Sequence, residues 1–292
     1  MRILNALRKD EPSLSFEFYP PKDAAAAAAL RERAARLEAL APDFVSITYG
    51  AGGGAGGAGR QEASIGATAE LAQATSAARL AHLTLAGHSR AELAEVVGRF
   101  LDGGVEGFMA LRGDPPGGPA APWLATDGGL TYASELVEFI RSLSAVPIGV
   151  AAFPHGHPTA ESLEHDAEVL AMKQAAGADF AVSQVLFDAA AYFRLVERAA
   201  RHGATLPIIP GVMPVTASSR IEKLERFSGA PLPAALLEGV ASARDGEDLA
   251  RFGIDWGVRF VGELLAGGAP GVHFYTLNSS NATEAIWRGL GR

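Results

Sequence analysis

The stretch that decides the fold reads Pro147-Ile-Gly-Val-Ala-Ala152, then a helical pattern over residues 159–176 that stops at Gly177, then Asp179-Phe-Ala-Val-Ser-Gln-Val185. The two flanking runs are short and nearly all apolar, as is typical of strands whose two faces are both buried. A glycine directly after the last helical residue is a common helix stop. The stretch therefore predicts a strand, a crossover helix and a second strand parallel to the first.

The same strand-then-helix unit recurs along the chain, eight times in all. Strands are expected at residues 14–18, 44–48, 81–86, 107–111, 147–152, 179–185, 206–209 and 272–275. Helices are expected at residues 23–40, about 62–78, 89–101, 132–143, 159–176, 189–202, 216–227, 249–266 and 283–290. The Pro/Gly/Ala-rich segments 113–129 and 229–246 are interpreted as loops between these elements.

Eight such units in a chain of 292 residues predict a single closed (β/α)8 barrel of the TIM type. Residues 1–292 are expected to form one catalytic domain, with residues 1–12 as an N-terminal arm. The alternative is an open, doubly wound sheet, which an alternating strand–helix pattern also permits.

The composition excludes several classes of function. The net charge is −8 and the chain contains no cysteine. An acidic chain lacks the positive surface that binds nucleic acid or anionic lipid. Without cysteine, neither disulfides nor thiolate catalysis are possible, which fits a cytoplasmic protein. The N-terminal residues do not resemble a secretory signal, and no apolar run is long enough to predict a membrane span.

Polar residues concentrate at the carboxyl ends of the predicted strands and in the loops that follow them. In a barrel of this type those ends form the active-site face, so their convergence predicts an enzyme. The residues concerned are Glu17, Thr48, His82, Thr84, Arg112, Asp114, His155, His157, Gln184, Tyr275, Thr276 and Asn278.

Glu17 is the leading candidate for acid–base chemistry. It lies between Phe16 and Phe18, just before Tyr19, and an apolar setting disfavours the ionised form of a carboxyl and raises its pKa. A carboxylic acid that stays partly neutral near pH 7 is a good proton donor. The alternative is a glutamate on an edge strand that faces water.

Other charged residues allow a structural and a functional interpretation. Asp114 follows Arg112 in a Gly/Pro-rich loop, and it is either a turn residue paired with that arginine or part of the site. Asp166 and Lys173 lie seven residues apart on one helix face, where they form either a solvated surface or a contact for a cofactor's phosphate or ribose. His155 and His157 are too close together in a Pro-bounded loop to chelate well, so no metal is expected.

The run Gly50 to Gly59 contains one G-x-G-x-x-G pattern, at Gly54, Gly56 and Gly59. It follows the second predicted strand rather than the first, and no acidic residue ends the next strand to bind a ribose. The run is therefore interpreted as a flexible loop over the site rather than a dinucleotide-binding turn.

A set of motifs resembles the methylenetetrahydrofolate reductases, in the order and spacing of that family from about residue 13 onward. The motifs are Ser15-Phe-Glu-Phe-Tyr-Pro-Pro-Lys22, Phe44-Val-Ser-Ile-Thr-Tyr-Gly-Ala51, His82-Leu-Thr84, Leu111-Arg-Gly-Asp-Pro-Pro116, Ala151-Ala-Phe-Pro-His-Gly-His-Pro158, Ser183-Gln184, Ile209-Pro-Gly-Val-Met-Pro214 and His273-Phe-Tyr-Thr-Leu-Asn278.

The resemblance implies a ping-pong cycle in which NADH or NADPH reduces bound FAD and methylenetetrahydrofolate is then reduced to methyltetrahydrofolate. Glu17 matches the family's general acid, and Asp114 matches an aspartate beside the flavin that favours a cationic folate intermediate. Gln184, Leu224 and Tyr275 match substrate-binding positions, together with Glu17. The positions that match flavin contacts are Thr48, His82, Arg112, Gly113, Asp114, Tyr132, Ala133, Phe153, His157, Asp166 and Lys173.

The chain departs from the family's pattern at three places. The loop after Thr48 is unusually rich in Gly and Ala, Leu224 stands where some members have an aromatic residue that stacks on the nicotinamide, and Ser279 stands where several have arginine. These departures leave two alternatives: a barrel of this family that binds little or no FAD and transfers the hydride directly, or a non-enzymatic folate-binding protein. The resemblance also implies a homo-oligomer.

Overall fold

The computed structural model describes residues 2–49, 58–115 and 122–292. Eight parallel strands form a closed barrel in which each strand pairs with its neighbours in the sequence and the eighth pairs with the first. The strands are β1 (Ser13–Phe18), β2 (Phe44–Ile47), β3 (Ala78–Thr84), β4 (Gly107–Leu111), β5 (Ile148–Ala152), β6 (Phe180–Val185), β7 (Ile208–Val212) and β8 (Gly271–Tyr275).

Helices cover the outside of the barrel. They are α1 (Arg2–Ala6), α2 (Ala24–Glu38), α3 (Ala58–Ala74), α4 (Arg90–Asp102), α5 (Ala133–Leu143), α6 (Leu163–Ala175), α7 (Ala189–Arg201), α8 (Ile221–Ser228), α9 (Ala234–Ser242), α10 (Gly246–Ala266) and α11 (Asn281–Gly289), with a 3-10 turn at Ser218–Arg220. None of the helices in the described ranges is long and apolar enough to cross a membrane. The predicted (β/α)8 barrel is confirmed, and the open sheet is excluded because β1 and β8 pair.

The amino-terminal end of the barrel is closed by apolar side chains. Phe44, Leu80, Met109 and Phe180 belong to one buried cluster inside the strands, and Ile3 of α1 completes the cluster from below. Ile3 has no exposed surface. The segment expected to be an N-terminal arm thus contains a short helix that caps the barrel.

The structure corrects the expectation that residues 229–246 form only a loop, because α9 lies within that segment. Its Ala-Ala-Leu-Leu-Glu start favours helix. Leu236 is fully buried against Val215, Leu224 and Leu232 in an apolar cluster outside the barrel. A helix this short is not stable by itself, and the burial of one apolar face against the rest of the protein stabilises it.

The boundary between α3 and β3 also differs from the expected one. The helix ends at Ala74 and the strand begins at Ala78, several residues earlier than the pattern predicts. The Glu38 carboxylate of α2 accepts hydrogen bonds from the Ser76 backbone N–H at 3.0 Å and from the Ser76 hydroxyl at 2.6 Å. This contact between distant parts of the chain fixes the turn, and no local periodicity reports it.

Candidate active site

The predicted acid lies inside the barrel near its carboxyl-terminal mouth. Glu17 is the fifth residue of β1, level with Ser46 on β2 and with Tyr275 on β8. Its exposed fraction is 7%. The alternative of a water-facing glutamate on an edge strand is therefore wrong, because a closed barrel has no edge strand.

Two imidazoles face the Glu17 carboxyl. The Oε2 atom lies 3.4 Å from Nε2 of His82 and 3.6 Å from Nε2 of His273. Burial lowers the pKa of His82, although the charge of Glu17 opposes this shift. Within the described residues no Lys or Arg pairs with Glu17, so the carboxyl can exchange a proton with a ligand without first breaking a strong ion pair.

Sequence reasoning did not single out His273 as a site residue. This side chain is 2% exposed, packs parallel to the Phe44 ring and lies 2.8 Å from the Ser15 hydroxyl through Nδ1. The signal was present, because His273 precedes the predicted site residue Tyr275 by two positions and alternate residues of a strand share a face.

Two half-buried phenols, those of Tyr19 and Tyr275, lie near the carboxyl. Burial, with the charge of Glu17, raises the pKa of Tyr19 to about 12 and the pKa of Tyr275 well above its ordinary value. Both phenols therefore stay protonated at neutral pH, and Tyr275 donates to the Ser183 carbonyl at 2.9 Å. Asn278 binds the Tyr19 backbone on both sides, accepting from its N–H at 2.8 Å and donating to its carbonyl at 3.1 Å.

The pairing of β6 and β7 is irregular at the level of the site. The register shifts between Val182 and Val185, as it does at a β-bulge, a feature common beside active sites. The bulge contains Gln184, whose side-chain oxygen accepts a hydrogen bond from the Val185 N–H at 2.8 Å. The half-buried Gln184 amide is thereby held by its own backbone at the barrel mouth.

Gly211 opposite the bulge leaves no room for a side chain. An added Cβ would lie 2.4 Å from the Ser183 carbonyl oxygen and 2.5 Å from the Tyr275 ring.

We expect Gly211→Ala to destabilise the fold by about 1–3 kcal/mol, the usual cost of overpacking. In α4, Gly98→Ala meets nothing within 4 Å and should stabilise the protein by about 0.5–1 kcal/mol. Urea unfolding measures the free energy of unfolding of both variants. A Gly211→Ala variant as stable as the wild type would mean that the bulge can move.

A second group of predicted residues lies around the ends of β4 and β5. Gly113 has φ +80°, and a Cβ there would lie 2.9 Å from the Thr84 Cβ, so both conformation and space require glycine. Arg112 precedes it, with its guanidinium carbon 5.2 Å from the centre of the Trp123 ring. In the described part of the chain Arg112 forms no ion pair, and Asp114 is exposed, so the turn pair considered from the sequence is not formed.

Lys173 of α6 is buried, with an exposed fraction of 8%. Its Nζ donates to the Ala151 carbonyl at 3.0 Å and lies 5.9 Å from the centre of the Phe153 ring. Burial lowers its pKa to about 8, Asp166 opposes the shift, and Arg112 adds to it. Lys173 thus faces inward rather than lying on a solvated helix face.

Asp166 and His157 connect α6 to the loop after β5. The Asp166 Oδ2 atom accepts from the His157 backbone N–H at 2.6 Å. Burial lowers the pKa of His157, and the charges of Arg112 and Lys173 lower it further. Arg112, His157 and Lys173 therefore lie within electrostatic range of one another, and the carboxylates of Asp166 and Asp114 also lie within range of His157, so this part of the mouth holds charges of both signs.

Comparisons with known proteins identify the family of this chain. A sequence model of the family described as methylenetetrahydrofolate reductase matches residues 2–291. The chain belongs to the methylenetetrahydrofolate reductase family. The reductase function expected from the motifs is thereby confirmed at the level of the family.

Curated relatives share this assignment over nearly the whole chain. The 5,10-methylenetetrahydrofolate reductase of Salmonella typhimurium is 31% identical over 282 residues, covering 96% of this chain and 90% of the relative. The enzyme of Escherichia coli is 31% identical over 280 residues. Methylenetetrahydrofolate reductase (NADH) 1 of Arabidopsis thaliana is 28% identical and is covered only over 50% of its length.

Among solved structures, the similarity shows the fold. A Clostridium thermocellum protein that binds two copies of 5-methyl-5,6,7,8-tetrahydrofolic acid superposes with a TM-score of 0.64 at 13% identity, over 98% of this chain and 95% of that one. A Xanthomonas albilineans dihydropteroate synthase has a TM-score of 0.53 at 15% identity, over 97% and 93% of the two chains.

The remaining residues that match family positions lie at different distances from the barrel centre. Thr48 follows β2, and its buried hydroxyl has no hydrogen-bond partner among the described residues. Tyr132 is 62% exposed beside Ala133, the first residue of α5. Leu224 of α8 is 2% exposed within the apolar cluster that Tyr275 and Leu277 border, so it lies beneath the surface of the mouth.

Two of the interpretations made from the sequence concern the glycine-rich run and the absence of a metal site. Most of the glycine run, residues 50–57, lies outside the described residues, and α3 begins at Ala58 just after it. In the described ranges no three His, Cys, Asp or Glu side chains come together as a metal site.

Proposed function

We propose that the chain is a flavin-dependent methylenetetrahydrofolate reductase that transfers a hydride from NADH or NADPH, through FAD, to the folate-bound one-carbon unit in a ping-pong cycle. The observation that carries the proposal is the buried Glu17 carboxyl, flanked by His82 and His273 in the mouth of a barrel of this family. On the same face lie two cations, Arg112 and Lys173, that suit an anionic cofactor.

The donor set around these two cations fits the diphosphate and ribose of FAD. Lys173 and Arg112 supply two cations that no carboxylate neutralises within 4.0 Å among the described residues. Phosphate groups are bound by such cations through charge-assisted hydrogen bonds. The buried Thr48 hydroxyl, unpartnered within the described chain, is a further donor at the same face. FAD, when bound, supplies the two-electron carrier between the nicotinamide and the folate.

The protein's own residues position the cofactor in this proposal. Lys173 and Arg112 would bind the diphosphate, and Asp166 holds the His157 loop through its Oδ2 atom. Phe153 packs beside Lys173 and limits the water that reaches its ammonium. At Gly113 the backbone of the loop after β4 packs close to Thr84 of β3, where there is no room for a Cβ.

Glu17 would donate the proton that opens the folate's five-membered ring. Its carboxyl is held by β1 and meets the substrate from inside the barrel, where little competing water is present. Asp114, exposed at the mouth, would stabilise the positive charge that develops on the substrate. Tyr275 and Gln184 line the same opening and would bind the folate ring, while a contact from Leu224 requires that α8 move.

An absorbance experiment on the purified full-length chain tests the proposal. We expect a yellow protein, or one that becomes yellow with added FAD. Its flavin absorbance should disappear on anaerobic addition of NADH or NADPH and return on addition of methylenetetrahydrofolate. Reduction of the folate without any bound flavin would support the flavin-poor alternative. Folate binding without oxidation of NADH or NADPH would support the non-enzymatic alternative.

The assembly of the chain into a homo-oligomer and its cytoplasmic location stay predictions.

A further inference from the structure

We propose that Trp123 is a cofactor-binding residue, with its buried indole N–H and ring completing the site for the diphosphate–adenosine end of FAD. The inference rests on the proposed function. It concerns a residue outside every motif that relates the chain to its family, in the segment that leads from β4 to α5.

Trp123 fixes the orientation of Arg112. The guanidinium carbon lies 5.2 Å from the centre of the indole ring, within the range of a cation–π contact. A guanidinium covered on one face by an aromatic ring keeps its N–H donors at its rim. Since Arg112 has no carboxylate partner in the described residues, those donors are available to an oxygen anion.

The indole N–H has no partner of its own. The Nε1 atom of Trp123 is buried, and nothing in the described structure accepts its hydrogen. Buried donors in folded proteins are nearly always paired. A buried donor that is unpaired beside a cation without a carboxylate partner is available to an oxygen of an anionic ligand.

The charge pattern places that oxygen on the diphosphate or the adjoining ribose. The charge of Arg112 lowers the pKa of both His157 and Lys173, so the Trp123–Arg112 pair belongs to the same group of charged side chains as those two residues. Glu17 and its two imidazoles form a separate polar group at the barrel centre, where the reacting atoms would lie.

The segment that carries Trp123 is anchored to the barrel. Gly129 forms a β-bridge with Ser89, and Arg90 N–H donates to the Gly128 carbonyl at 3.1 Å. Trp123 packs against the main core, whereas its neighbour Leu124 is 79% exposed. The indole is thus held in place before any ligand binds, as a preorganised binding residue must be.

The test measures the affinities of FAD and riboflavin for the full-length protein stripped of cofactor, in the wild type, Trp123→Phe and Trp287→Phe. Trp123→Phe keeps an aromatic ring in contact with Arg112 and removes the N–H together with the five-membered ring of the indole, a change that the Trp287→Phe control makes as well. Trp123→Phe should weaken FAD binding roughly 10- to 100-fold, as expected for a lost hydrogen bond to a charged group. Riboflavin, which lacks the diphosphate and the adenosine, should bind with unchanged affinity. Trp287→Phe, in α11, is the matched control and should bind both as the wild type does.

Equal FAD affinity in Trp123→Phe and the wild type would overturn the inference and leave the proposed function intact. Equal weakening of FAD and riboflavin would also overturn it, since the residue would then support the ring site or the fold. A thermal unfolding midpoint for each variant separates these two causes. A wild-type protein that binds no FAD would instead refute the flavin in the proposed function itself.

Discussion

Glu17→Gln is expected to slow the reduction of methylenetetrahydrofolate by roughly 10²–10⁴-fold, the usual contribution of a general acid. The amide has nearly the shape of the carboxyl but cannot deliver its proton to the substrate. Oxidation of NADH or NADPH by the flavin needs no such proton, so that half-reaction should proceed at close to the wild-type rate. Anaerobic stopped-flow measurement of the two half-reactions separates the effects.

The control for this variant is Glu138→Gln, which makes the same chemical change on the exposed surface of α5. Both half-reactions should be unaffected by it. A Glu17→Gln enzyme with a normal folate half-reaction would remove Glu17 from the role of acid. A variant slowed equally in both half-reactions would indicate instead that Glu17 organises the barrel mouth with His82 and His273.

Lys173→Met is expected to stabilise the cofactor-free protein while weakening FAD binding by about 100-fold. Burial lowers the pKa of Lys173 from 10.5 to about 8, and that difference corresponds to about 3 kcal/mol of destabilisation near pH 7. Methionine removes the buried charge but leaves the Ala151 carbonyl without its donor, so a net gain of about 2 kcal/mol is expected. The loss of affinity reflects a phosphate left without a buried cation.

The pH dependence of this effect has a definite sign. Below pH 8 the lysine is charged in both the folded and the unfolded state, and the folded state bears the whole cost of burial. Between pH 8 and 10.5 the folded state releases its proton first, so wild-type stability attributable to this group rises with pH. The stability advantage of Lys173→Met should therefore be largest below pH 8 and shrink towards pH 10.5.

Urea unfolding at several pH values, together with FAD titrations, checks both effects. Lys9→Met serves as the control, because Lys9 forms an exposed ion pair with Asp43 at 3.0 Å near the opposite end of the barrel. Surface pairs contribute about 0–1 kcal/mol, and FAD affinity should not change. If Lys173→Met were less stable than the wild type at pH 7, the ammonium would be better solvated or paired than its burial indicates.

The sequence by itself determined the architecture and the face that carries the site. The alternation of short apolar runs with helical segments can be recognised from neighbouring residues, and eight repeats in one domain's length favour a closed barrel over an open sheet. The polar residues at strand ends then fall on one face, because parallel strands all end there. Glu17, His82 and Tyr275 were found in this way, whereas His273 was overlooked although it alternates with Tyr275 on the same strand.

Only the tertiary structure decided which of these residues touch. Ser15 and His273 are 258 positions apart, and the pairing of β8 with β1 brings them together. Helix α9, the burial of Lys173 and the contact between Arg112 and Trp123 likewise depend on packing between segments distant in the chain. Periodicity reports which side of an element is apolar, whereas partners, distances and pKa shifts arise from strand register and barrel closure, which no local stretch of sequence contains.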